Sequence, residues 1–125
     1  MPDPIKVLLA DESAAVRLLL SSLLHDDDRF AVVGAVASGA DVIEQCDRPD
    51  LVVIDLVLAD TDAFSLMERL RLLRPTLPVV VYAEVDPPYL RSEASIRGAA
   101  GFFAHHTDPN VVLDGFAAAV DASRS

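Results

Sequence analysis

The sequence is short of several things, and each shortage removes a class of protein. It has one cysteine, Cys46, so no intrachain disulfide can form, which suits a reducing compartment. No apolar run reaches the roughly 18 residues that span a bilayer. The opening residues, MPDPIK, lack the basic start and long apolar core of a secretory signal, so the expectation is a cytoplasmic protein with no membrane partner. Basic residues are scarce: 10 Lys and Arg stand against 20 Asp and Glu, a formal net charge of −10. A chain this acidic repels phosphate backbones, which argues against direct nucleic-acid binding. The acidity reads as solubility or, where carboxylates gather, as a cation site. Internal repeats, low-complexity segments and linkers are absent as well.

What remains is a chain of 125 residues, 52% hydrophobic and 24% charged. That is one globular domain, 1–125, with enough length for a proper core. Apolar runs alternate with amphipathic stretches. IKVLLA (5–10) is continuous rather than alternating and predicts a strand buried on both faces. SAAVRLLLSSLLHDD predicts a helix with Ser13 as N-cap and Val16, Leu20, Leu23 and Leu24 at helical spacing. RFAVVGAVA (29–37) predicts a second strand, bent at Gly34. A short helix over GADVIEQC stops before Pro49, with Cys46 as a small buried or half-buried residue. LVVID (51–55) is the third strand.

FSLMERLRLLR (64–74) sets Leu66, Met67, Leu70 and Leu73 on one helical face, and Pro75 ends the helix. PVVVYA (78–83) is the fourth strand. PPYLRSEASIRG begins with proline and ends at Gly98, the favoured asymmetry of a helix. GFFA (101–104) is a short fifth strand, and DPNVVLDGFAAAVDA closes as a helix capped by Asp108. Five buried strands alternating with five helices predict an α/β, flavodoxin-like (βα)5 three-layer sandwich with a parallel five-stranded sheet in the order 2-1-3-4-5. In such folds the functional crevice lies beyond the carboxyl ends of the strands. The residues to read are therefore Asp11 and Glu12, Asp55, Ala83 and His105.

That strand order brings three carboxylates together: Asp11, Glu12 and Asp55. Like charges at close range cannot all stay ionised without a counter-charge. A divalent hard cation supplies it, and Mg²⁺ accepts one or two carboxylates together with waters and a phosphoryl oxygen. Such an ion also favours in-line transfer of an anionic phosphoryl group, with Asp55 as nucleophile.

With KVLLADESAAVRLLLSSLL, PDLVVIDLVLADTDAF, PTLPVVVYAE and GAAGFF in place, the chain resembles the receiver domain of two-component response regulators. The resemblance implies that Asp55 is the phosphoacceptor and that Asp11, Glu12, Asp55 and the backbone oxygen of Val57 hold Mg²⁺. It implies a sensor histidine kinase as phosphoryl donor. It also implies a homodimer and a DNA-binding output domain outside this chain, since VVGAVASGADVIE and LRLLRPTLPVVV look most like receivers that precede a helix-turn-helix domain. The domain is then either free-standing or the input half of a larger regulator.

The sequence departs from the family where the signal is reported. Ala83 stands where the family carries Thr or Ser, so it has no hydroxyl for the phosphoryl group. His105 stands where the family carries Lys. Leu58-Ala59 replaces the usual Met-Pro, Ala63 replaces the usual Gly, and Asp60 is an added carboxylate. Phe102 matches the switching aromatic and, above a small Ala83, is expected to pack inward permanently. The expectation is a phosphorelay receiver with a weakened or altered switch; the alternative is a pseudo-receiver that binds partners without phosphorylation.

Other readings carry less. Asp55 as a mere turn cap leaves Asp11 and Glu12 unexplained. His105-His106 lacks the i, i+4 spacing of helical metal ligands and reads as a surface loop pair. Tyr82, Tyr89, Phe102 and Phe103 read as packing or interface residues. LVLADTDAF mimics the Asp-x-Asp signature of haloacid-dehalogenase phosphatases through Asp60 and Asp62, but that signature belongs after a first strand, not a third. A flavodoxin-type electron carrier shares the fold class, yet the acids of DESAAV would repel an FMN phosphate.

Overall fold

The computed structural model describes residues 2–125. In chain order the elements are β1 (Ile5–Ala10), α1 (Ala14–His25), β2 (Phe30–Val36), α2 (Gly39–Gln45), β3 (Leu51–Ile54), α3 (Ala63–Leu73), β4 (Val79–Ala83), α4 (Pro88–Ile96), β5 (Gly101–Ala104) and α5 (Pro109–Ser123). All strand pairs are parallel, and the order is β2-β1-β3-β4-β5. This is the expected flavodoxin-like sandwich.

The two-residue alternation of a strand divides the core into two layers. Leu8, Ala10, Val52, Ile54, Val81 and Ala83 pack on one face with Val42, Leu66, Leu70 and Ala94 from α2, α3 and α4. Val7, Leu9, Val53, Val80 and Tyr82 pack on the other with Leu20, Leu24, Phe116 and Val120 from α1 and α5. Because helices cover both faces, β3 and β4 are buried along their whole length, and each buried Val or Leu contributes about 1.5–3 kcal/mol.

Helix starts are set by side-chain caps, each satisfying an N–H the helix itself leaves unpaired. Ser13 accepts from Val16 N, Ser38 from Asp41 N, Asp62 from Ser65 N and Asp108 from Asn110 N. For α4 proline does the work instead, Pro87 at the N-cap and Pro88 behind it. Gly98, just past α4, has φ +98°, a conformation that favours glycine. The bend expected at Gly34 is a register shift: Val7 pairs with Val32 and Leu8 with Gly34, leaving Val33 as the extra residue.

One packing expectation fails. Leu66, Met67 and Leu70 are buried as predicted, but Leu73 is 55% exposed. It is the last residue of α3, and the chain turns at Arg74, whose guanidinium reaches the carbonyls of Cys46 (2.8 Å) and Pro49 (2.7 Å). Leu77, in the following turn, is buried in that core layer.

Candidate functional site

The sheet itself delivers the two aspartates to one place. Ala10 pairs with Ile54 across β1 and β3, so the next residues, Asp11 and Asp55, leave the sheet side by side. Asp55 N donates to Ala10 O at 3.0 Å, and Asp11 N to Val36 O at 3.0 Å. Asp11 is 4% exposed, the buried charged residue of the described core. Its Oδ1 accepts from Ser13 N at 2.8 Å. Asp55 is half-buried, and its Oδ1 accepts from Leu56 N at 2.8 Å.

Both carboxyls are held above the usual carboxylate range. For Asp11 the main cause is burial, opposed by the Ser13 hydrogen bond and the nearby charges of His105 and Arg17. For Asp55 it is burial and then the neighbouring Asp11 charge, opposed by the Leu56 hydrogen bond and by His105. Glu12 is exposed and adds its negative charge to both. The three carboxylates expected to converge are thus brought together unequally: two inside the sheet end, one at the rim. Among the described residues no three His, Cys, Asp or Glu side chains form a ready-made cation site.

Val57, whose backbone oxygen the resemblance assigns to the metal, is exposed in the loop after β3. It is bridged antiparallel to Asp62, but the two hydrogen bonds of that bridge, Leu58 N to Thr61 O and Ala63 N to Leu56 O (both 2.8 Å), flank it. The Val57 carbonyl is left free of them. The paired Asp11 and Asp55 carboxylates are hard oxygen donors of the kind Mg²⁺ accepts, since it keeps several waters and does not need an all-protein cage. The donors present therefore fit the ion.

The positions where the sequence departs from its resemblance are equally defined. Ala83 is 1% exposed and Phe102 8% exposed, both in the α2–α4 core layer. Phe102 is turned inward, with the Arg91 guanidinium 5.3 Å from its ring centre. His105 N donates to Ala83 O at 2.9 Å. The imidazole lies tilted at 31° against Tyr82, ring centres 4.4 Å apart, and its buried Nε2 has no hydrogen-bond partner. The surface-pair reading of the histidines is therefore right only for His106, which is exposed.

Sequence reasoning missed Arg17. Its Nη1 donates to the Asp11 backbone oxygen at 2.6 Å, and it lies with Asp11, Asp55 and Tyr82 at the end of the sheet. The available signal was its place one helical turn beyond the Ser13 cap. The Asp-x-Asp mimic dissolves: Asp62 caps α3, and Asp60 accepts from the N–H groups of Gly39 (2.7 Å) and Ala40 (3.1 Å).

The response regulator receiver domain matches this chain over residues 7–115. The chain belongs to that family. The receiver is 38% identical over 98 residues to the response regulator protein VraR of Staphylococcus saprophyticus, covering 74% of this chain and 47% of that protein. It is 38% identical over 97 residues to a protein-glutamate methylesterase/protein-glutamine glutaminase of Syntrophus aciditrophicus, covering 72% and 28%. Among solved structures, a LuxR-family two-component response regulator from Aurantimonas superposes with a TM-score of 0.89 at 20% identity, covering 95% of this receiver and 86% of that chain. This receiver spans roughly a quarter to a half of the length of the curated relatives it matches. They include signalling proteins and enzymes. Receiver domains serve in phosphorelays, exchange with histidine kinases and generally bind Mg²⁺. The pseudo-receiver alternative is not favoured. Among the described residues no helix is long and apolar enough to cross a membrane.

Proposed function

We propose that this receiver accepts a phosphoryl group on Asp55 from the phosphohistidine of a sensor kinase. One observation carries the reading: Asp11 and Asp55 leave paired strands together, and burial holds both carboxyls towards the protonated form. Such a pair is built to be completed by a cation. Asp11, Asp55 and the Val57 carbonyl would hold Mg²⁺, with Glu12 adding charge at the rim. The ion would neutralise phosphoryl charge during transfer.

Within that site an Asp55 carboxylate oxygen bonds to phosphorus as the P–N bond to the donor imidazole breaks. The imidazole leaves with a proton and Asp55 becomes an acyl phosphate. This is stoichiometric transfer, so the domain is a signalling element and not an enzyme. Asp55 lacks two of the family's reporters. Ala83 offers no hydroxyl, and Phe102 already lies inward, so the phosphorylated and free forms differ less than in a receiver carrying Thr and Lys. His105 stands in the Lys position and takes part through its unpartnered Nε2.

The reading extends to a cytoplasmic receiver, 1–125, that pairs with a second copy and governs a DNA-binding output domain beyond this chain. Support comes from VraR, a response regulator protein of which this receiver covers only 47%, and from the net charge of −10, which leaves nucleic acid to another domain. The test is direct. Incubation with acetyl phosphate and Mg²⁺ should add one phosphoryl mass that Asp55→Ala abolishes. An unchanged mass with every small-molecule donor and with kinase would remove the proposal.

A further inference from the structure

The loop between β3 and α3 carries Val57, and it has alanine where the receiver resemblance leads to proline. Ala59 replaces proline. The structure shows what stands in its place. Ala59 N, a donor proline lacks, bonds to Ala37 O at 3.2 Å. Next to it, the Asp60 carboxylate accepts from Gly39 N at 2.7 Å through Oδ1 and from Ala40 N at 3.1 Å through Oδ2.

These bonds complete the start of α2. A helix leaves its first N–H groups unpaired. Here Ser38 Oγ accepts from Asp41 N at 3.2 Å, and Val42 N reaches Ser38 O at 3.3 Å. Gly39 and Ala40, the two donors before them, are taken by a side chain some twenty positions away. The close approach requires glycine at 39. A Cβ there would lie 2.5 Å from Thr61 Cγ2, closer than side-chain atoms pack. The loop is thus tied to the turn before α2 at Ala59 and to the start of α2 at Asp60, and folded on itself by the bonds flanking Val57.

We propose that Asp60 is a positioning residue for the metal site: by tying residues 56–62 to the first turn of α2, it holds the Val57 carbonyl where the cation takes it. The inference rests on the reading of Val57 O as a ligand. Asp60 touches neither ion nor phosphoryl group. It acts as a charged clasp across the loop.

The test uses the intact chain and Mg²⁺ alone, with binding followed by backbone amide NMR shifts at Asp11, Asp55 and Val57. Removing a group that orients a metal ligand typically weakens affinity about 10–100-fold, and an exposed clasp belongs at the low end. Asp60→Gly should therefore raise the Mg²⁺ Kd about tenfold and speed hydrogen exchange at Gly39 and Ala40. Asp60→Asn, which keeps one acceptor, should fall between. That variant decides between tether and charge, because it removes the negative charge and leaves an acceptor for Gly39 or Ala40.

Asp60→Gly and Asp60→Asn binding Mg²⁺ like the parent would overturn the inference and leave the phosphoacceptor reading standing. So would a folded Asp60→Asn that binds Mg²⁺ as weakly as Asp60→Gly, because the effect would then be the lost negative charge. A parent chain with no Mg²⁺-dependent shifts at Asp11 and Asp55 would instead remove the function reading, and this inference with it.

Discussion

Ala83→Thr returns to this receiver the hydroxyl its relatives use, and the structure says what that should cost. Ala83 is 1% exposed, in one core layer with Ile54, Ala94 and Phe102. The added methyl overfills a packed site, which destabilises by about 1–3 kcal/mol. A new hydroxyl without a partner adds about 1–3 kcal/mol more. Relaxation of the Phe102 ring will absorb part of this, so a loss of about 3 kcal/mol is a fair figure. For a domain of this size that lowers Tm by about 12 °C.

The same hydroxyl gains an acceptor when Asp55 carries a phosphoryl mimic. A hydrogen bond to a charged group contributes about 1.5–3 kcal/mol. The variant should bind beryllofluoride with Mg²⁺ about tenfold more tightly than the parent, and its Tm gain on binding should exceed the parent's by about 6 °C. Thermal unfolding with and without the mimic gives both numbers, and aromatic NMR shifts report Phe102. A variant that melts within 2 °C of the parent (roughly 0.5 kcal/mol), or gains no more from the mimic, refutes the reasoning about Ala83 and Phe102.

Three further outcomes follow from the site and fold. Asp55→Asn should melt a few degrees higher than the parent at pH 7, because it removes a carboxylate whose charged form burial and Asp11 disfavour. The sign fixes the pH profile: the raised folded pKa means the parent gains stability as pH falls through it, so the variant's advantage shrinks on acidification and should be gone once the parent carboxyl is protonated. An advantage that grows towards low pH would contradict the burial argument. His105→Lys should strengthen beryllofluoride binding roughly tenfold, since a lysine ammonium reaches the phosphoryl group as a charged donor; equal affinity by titration would show that the imidazole already supplies the contact. Gly98→Ala should cost about 1–2 kcal/mol for a left-handed backbone, with more from displacing Arg71, which donates to Arg97 O beside it; urea unfolding measures it.

Much of the fold was legible because buried parallel strands are written as continuous apolar runs. LVVI in β3 and VVVYA in β4 have no alternative as surface. Helix starts were legible wherever the cap lies within three residues, as with Ser13 and Asp108. What escaped was decided between distant segments. Leu73 continues a helical stripe but is exposed because Arg74 leaves α3 for the end of α2. Asp60 reads as surplus charge near a phosphoacceptor, yet its carboxylate is pulled below the usual range by the N–H groups of Gly39 and then Ala40. No local period announces a side chain that bonds across such a separation. Arg17 escaped because its partner is a backbone carbonyl, which any residue carries.

The contact between Tyr82 and His105 has an optical consequence. The chain has no tryptophan and two tyrosines, so its ultraviolet emission comes from Tyr82 and Tyr89. Tyr89 is 72% exposed and reports solvent. Tyr82 is 4% exposed, lies against the imidazole and lines the space between Asp11 and Asp55. One of the two tyrosines therefore lies beside the proposed phosphoacceptor, and an event that shifts the histidine or charges the aspartates should register in the emission of the unlabelled chain.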